Sequence, residues 1–116
     1  RNRGRSSLTF LEEAGWDMRR LGYAVVNIDA VLLAEEPALA AHLAGMRARL
    51  AAALGCPASA VGVKAKRCEG LGAIGRREGI LAQAVALLAS SGRRDTWPRP
   101  RAAGARRRAG TRGAKR

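Results

Sequence analysis

YAVVNIDAVLLA, residues 23–34, is the stretch that decides the fold. Ten of its twelve residues are apolar or aromatic, the β-branched and aliphatic types dominate, and only Asn27 and Asp29 interrupt them. A strand with one wet face alternates apolar and polar residues, whereas a strand flanked on both sides by other strands and covered by helices reads as a nearly continuous apolar run. The segment therefore predicts a central, mostly buried β-strand. Upstream, Leu8, Leu11, Ala14, Met18 and Leu21 recur at three- and four-residue steps. With Ser6 or Ser7 as N-cap and Gly22 as stop, they predict an amphipathic helix over 7–21, weakened by Gly15. Downstream, Glu35-Glu36-Pro37 breaks the chain, and Leu39–Leu54 (LAAHLAGMRARLAAAL) predicts a strong helix ending at Gly55.

Val61–Cys68 (VGVKAKRC) alternates as a strand does, and Gly70, Gly72, Gly75 and Gly79 then punctuate a loop carrying Arg76, Arg77 and Glu78. The last element, Ile80–Ala89, fits either period: its Ala and Leu content tilts towards helix, while Ile80, Ala82, Ala84, Ala86 and Leu88 fit one face of a strand. Helix, strand, helix, strand, loop and a final element give an α/β (α+β) fold with helices packed on one face of a sheet.

A length of 116 residues allows one small domain, and a 3% aromatic content means that its core is built from Ala, Val, Leu and Ile. Marginal stability or an obligate oligomer is the expectation. The net charge of +13 is concentrated at the ends. Residues 92–116 hold ten Lys/Arg against one Asp, and a basic stub, RNRGR at 1–5, adds three Arg, so the body over 6–91 is nearly neutral. The Arg/Gly/Ala-rich tail 92–116 has no apolar period and is expected to be disordered. Clustered Arg can neutralise phosphates, which makes nucleic acid a possible partner of the tail. No apolar run approaches the ~20 residues that cross a bilayer and no signal-peptide pattern opens the chain, so a cytoplasmic protein without membrane contact is expected. Cys56 and Cys68 are expected as reduced thiols. The first residue is Arg, which suggests a fragment.

His42 is the single histidine and has no second His or carboxylate at ligand spacing, so no metal site is expected in this chain alone. KAKRCEGLGAIGRREGI, residues 64–80, places cations and backbone amides at the end of a strand, a pattern suited to a diphosphate.

GYAVVNIDA (22–30), AEEPALAAH (34–42), VKAKRCEGLGAIGRREGI (63–80) and AVALL (84–88) together resemble the C-terminal part of the 2-C-methyl-D-erythritol 2,4-cyclodiphosphate synthase family over about residues 6–91. The resemblance implies a phosphorus–oxygen lyase of non-mevalonate isoprenoid biosynthesis, which converts a CDP-linked methylerythritol 2-phosphate to the cyclic diphosphate and CMP. It implies a homotrimer with sites between neighbours, a mixed sheet, and strand rather than helix for the last element. It implies a divalent metal (Zn, Mg or Mn), whose ligands would lie upstream of Ser7, together with the first strand; this chain would keep mainly the nucleotide half and be inactive alone.

Residue by residue, the resemblance implies that Ala34, Glu35, Glu36, Pro37, Ala38, Leu39 and Ala40 face cytosine, largely through backbone groups. Lys66, Arg67, Cys68 and Glu69 match a Thr-Thr-x-Glu stretch at the nucleotide's phosphates, with Arg67 at the position of the Thr that serves the transition state. Ala73 and Arg76 match a Phe and a phosphate-side Arg. The chain departs from the family where Arg67 replaces a hydroxyl by a long cation, Ala73 replaces Phe and Ala38 replaces Lys, and, next to Arg76, Arg77 stands where Gly is usual, which strains the loop if φ there is positive. The other reading, from a different class, is a basic-tailed nucleic-acid-binding protein on a decayed α/β body.

Overall fold

The computed structural model describes residues 3–92. Its centre is strand β1, Tyr23–Leu33, flanked by β2, Val61–Lys66, and β3, Leu81–Ser90, in the order β2-β1-β3. β2 runs parallel to β1, with Ile28 opposite Val61 and Leu33 opposite Lys66. β3 runs antiparallel along the whole of β1, from Tyr23 opposite Ser90 to Leu33 opposite Leu81, with an irregularity between Val25 and Asn27. The sheet is mixed, as the family resemblance implies. β3 settles the ambiguous last element: partners along all of β1 override the helical preference of Ala and Leu.

Helix α1, Ser7–Arg20, begins at Ser6, whose Oγ accepts from the Leu8 amide at 3.3 Å. Arg5, in the basic stub, ion-pairs with Glu13 and lies 4.6 Å from the Phe10 ring centre, so it packs against this helix. Helix α2, Leu43–Leu54, ends at Gly55 in the left-handed region (φ +68°). The predicted start at Leu39 is replaced by a 3-10 turn over Ala40–His42, because neither Leu39 nor His42 supplies a side-chain cap. Arg19 Nη1 donates to the Leu54 carbonyl at 2.6 Å, where it satisfies the last turn of α2. Gly15 does more than weaken α1: it is buried, and a Cβ there would meet the Ala53 carbonyl at 3.1 Å, so its missing side chain lets the two helices approach.

Both helices cover one sheet face. Val61, Val63 and Ala51 form the core cluster, with Ile28, Leu32, Leu43, Leu50 and Cys56 against it. The expectation of a mostly buried β1 is corrected: the strand is central, but none of its residues is fully buried, because no described element covers its other face. Beside the core, an apolar groove of about 500 Å³ remains between α1, α2 and β3, walled by Leu11, Met18, Ile28, Leu50 and Leu88 among others. Both cysteines are free thiols. No described helix is long and apolar enough to cross a membrane. The expectations for Arg1, Asn2 and the tail beyond Gly92 concern residues outside the described ones.

Candidate functional site

β1 and β2 are parallel, so their carboxyl ends lie side by side, and the segments leaving them meet there. The first is the loop 34–40, which contains a cis Glu36–Pro37 bond. The second is the turn that follows Lys66. β2 stops two residues short of the predicted Cys68. The Ala34 amide donates to the Lys66 carbonyl at 3.0 Å, and the Cys68 amide then leaves the ladder to donate to Glu35 Oε2 at 3.1 Å. Glu35 thus fastens the loop to the strand end with a charge-assisted hydrogen bond.

Between the two segments lies a small cavity of about 120 Å³, lined by Ala34, Pro37, Ala38, Leu39, Ala40, Lys66 and Arg67 together with Ala65. Beside it, sharing Pro37, Ala38 and Arg67, is a more open hollow that also takes in Glu36 and forms the mouth of the cleft. Ligand pockets usually exceed ~300 Å³, so a nucleotide seated here would place only one end inside and extend across the mouth. Among the described residues Arg67 makes no ion pair, and it lines both the cavity and this opening.

The remaining expected site residues lie in the turn beyond. Glu69 has φ +51° and is exposed. Ala73 belongs to a short helical turn, α3, over Gly72–Gly75. Arg76 is engaged by Glu78, with its Nε donating to Oε1 at 2.7 Å and its Nη2 to Oε2 at 3.3 Å. Glu69, Ala73 and Arg76 do not line the cavity. Nor are the amides of this Gly-rich segment all free for a diphosphate. Those of Gly75, Arg76, Arg77 and Glu78 donate to the carbonyls of Leu71, Gly72, Ile74 and Ala73, at 2.9–3.1 Å, because four successive residues close into a helical turn.

One contact was invisible in the sequence. Arg77 Nη2 lies 3.2 Å from Glu36 Oε1 and ties the mouth of the cleft to the Gly-rich turn. Arg77 has φ +66°, so the strain anticipated at this Gly position is present; it costs about 1 kcal/mol relative to Gly. Opposite charges on two loops separated by a helix and a strand give no sequence signal beyond their sign.

The described residues do not fit the divalent metal that the resemblance implies. They contain no cluster of three His, Cys, Asp or Glu, and the cavity beside His42 is lined by Ala41, Gly45, Met46 and Arg49, which supply no carboxylate.

An open α/β sheet with a cleft at the carboxyl ends of two parallel strands is the arrangement in which such sheets receive ligands. Residues 1–89 match the YgbB family, and the chain belongs to that family. It is 47% identical over 96 residues to the 2-C-methyl-D-erythritol 2,4-cyclodiphosphate synthase of Desulfosudis oleivorans, covering 83% of this chain and 57% of that protein. The structure of the Plasmodium vivax 2C-methyl-D-erythritol 2,4-cyclodiphosphate synthase superposes with a TM-score of 0.71 at 33% identity, covering 73% of this chain and 57% of the other. An IspF from Plasmodium falciparum, described as a CDP complex, gives a TM-score of 0.66 at 26% identity, with 72% and 53% covered. The chain thus spans little more than half the length of these relatives. Nothing in these matches favours the nucleic-acid reading, and its basic arm falls almost wholly outside the described residues.

Proposed function

We propose that this chain forms the nucleotide-binding part of a 2-C-methyl-D-erythritol 2,4-cyclodiphosphate synthase, a phosphorus–oxygen lyase. In the reaction, the 2-phosphate of the CDP-linked methylerythritol attacks the β-phosphate, the bond from the β-phosphate to CMP breaks, and the cyclic diphosphate is formed. The observation that carries this reading is the cleft between 34–40 and 66–67, which lies within the segment matching the family.

The chain's own residues bind and orient in this scheme. Backbone groups of Ala34–Ala40 receive the cytosine, and Lys66 and Arg67 face the phosphates, where charge-assisted hydrogen bonds hold the diphosphate for displacement. Arg67 provides a longer and permanently charged contact in place of a hydroxyl. Glu69, Ala73 and Arg76 stand further along the same turn, towards the outer phosphate. No step is assigned to a metal, since the described residues hold no ligand set for one. The assembly proposed is a homotrimer with the cleft of one subunit completed by its neighbour, and the site of action is the cytoplasm.

Calorimetric titration of CDP into the full chain tests the reading. Saturable binding of CDP, tighter than that of cytidine, is expected. Arg67→Ala should weaken CDP about tenfold, the scale of a hydrogen bond to a charged group, and leave cytidine unchanged. Absence of CDP binding by the folded chain would remove the proposal.

A further inference from the structure

The pair between Arg77 and Glu36 is required neither by the sheet nor by the helices. It joins two loops, and both side chains are well exposed, at 64% and 60%. Its effect on global stability is therefore small. Yet Arg77 is held in a backbone region that favours glycine, and a strained residue that persists in a binding region points to a role for its side chain.

That role follows from where the acids lie. Glu35 and Glu36 are the acidic residues of the loop; Glu35 is turned to the Cys68 amide, while Glu36 lines the mouth together with Arg67. An uncompensated carboxylate at the mouth would oppose the approach of any phosphate. Glu78, the nearest acid in sequence to Arg77, is already engaged by Arg76, so the Arg77 guanidinium is directed to Glu36.

We propose that Arg77 is a charge-masking, positioning residue of the ligand cleft: by pairing with Glu36 it neutralises the carboxylate at the mouth and leaves Lys66 and Arg67 to attract the diphosphate of a nucleoside diphosphate. This rests on the nucleotide-binding reading above and assigns it a determinant of phosphate preference. Arg77 acts through Glu36 and not on the reacting atoms. The mask favours ligands that carry phosphate over the bare nucleoside.

The test uses the full chain and four proteins: the parent, R77G, E36Q and the double variant R77G/E36Q, each titrated with CDP, cytidine and inorganic pyrophosphate. Glycine suits φ +66°, so R77G retains the turn, and a melting temperature no lower than the parent's confirms it. R77G should weaken CDP and pyrophosphate about two- to fivefold, the range an exposed ion pair supplies, with cytidine unchanged and the loss shrinking as salt is added. E36Q in the R77G background should restore the parent's affinity, because it removes the charge that the arginine masked. Equal weakening of CDP and cytidine, or no restoration by E36Q, overturns the proposal. If the parent binds neither CDP nor cytidine, the nucleotide reading fails, and pyrophosphate decides the mask separately: the same pattern across the four proteins sustains it, and no binding or no difference overturns it.

Discussion

Gly75 shows how much one missing side chain can carry. An added Cβ would lie 2.3 Å from the carbonyl carbon of Gly70 and 2.8 Å from its Cα, contacts that only a backbone shift could relieve. Gly75→Ala should therefore lower stability by about 1–3 kcal/mol, the usual cost of overpacking, measured as a fall in the urea midpoint. An unchanged midpoint would mean that the 70–75 turn yields freely. In the sequence, Gly70, Gly72, Gly75 and Gly79 look alike as four marks of one loop. The structure separates them, since a Cβ added at Gly79 would meet nothing within 4 Å, whereas Gly75 is packed backbone to backbone. The same limit applies to Gly15, legible as a weak point of a helix and not as the contact between two. Close approach is a property of how the backbone is folded, within one turn at Gly75 and between two helices at Gly15, and residue type alone does not announce it.

At the scale of elements, the legible signals are local ones. Ser6, Gly22 and Gly55 mark helix ends, and all three occupy the positions their chemistry suits. The last strand is not local in this sense. Its Ala- and Leu-rich composition favours helix, and its conformation comes from ten residues aligned with β1; the family resemblance carries the correct assignment where propensity does not. The loop 34–40 is similar, since its placement depends on the strand end it meets. Glu35 is the link between them, and its removal tests that link. Glu35→Ala strips the Cys68 amide of its acceptor and should destabilise the chain by about 1–3 kcal/mol, whereas Glu35→Gln keeps a neutral acceptor and should lose less. Chemical denaturation of the two variants side by side measures the difference, and equal losses would show that shape rather than the charged acceptor holds the loop. Of the residues the resemblance singles out, 34, 36–40 and 66–67 lie around one cleft, because the carboxyl ends of parallel neighbours are adjacent, whereas Glu35 lines neither the cavity nor its mouth. The Glu36–Arg77 pair is not legible in this way, since neither residue carries a pattern that selects the other.

At the scale of the molecule, the sheet has more apolar surface than the described chain covers. Every residue of β3 is exposed, Val85 at 68% and Leu87 at 56%. Alternation along the strand puts Ala82, Ala84, Ala86 and Leu88 on the helix side, where they line the groove, and so puts Val85 and Leu87 on the side without a second layer. An exposed apolar sheet face of this kind marks an interaction surface, and the proposed homotrimer supplies a partner for it. Light scattering of the full chain should then report a multiple of 12.2 kDa that depends on concentration. β3 is also an edge, however, and a free edge can associate by strand pairing instead of face packing. The double variant Val85→Lys/Leu87→Lys separates these routes, because it places two charges on the open face and leaves the backbone edge intact. Face packing predicts that this variant sediments as a monomer with its CDP affinity reduced, since a neighbour would no longer complete the cleft. Association that survives the two lysines would assign it to a free sheet edge, at β3 or β2, and the trimeric arrangement would lose its physical basis in this chain.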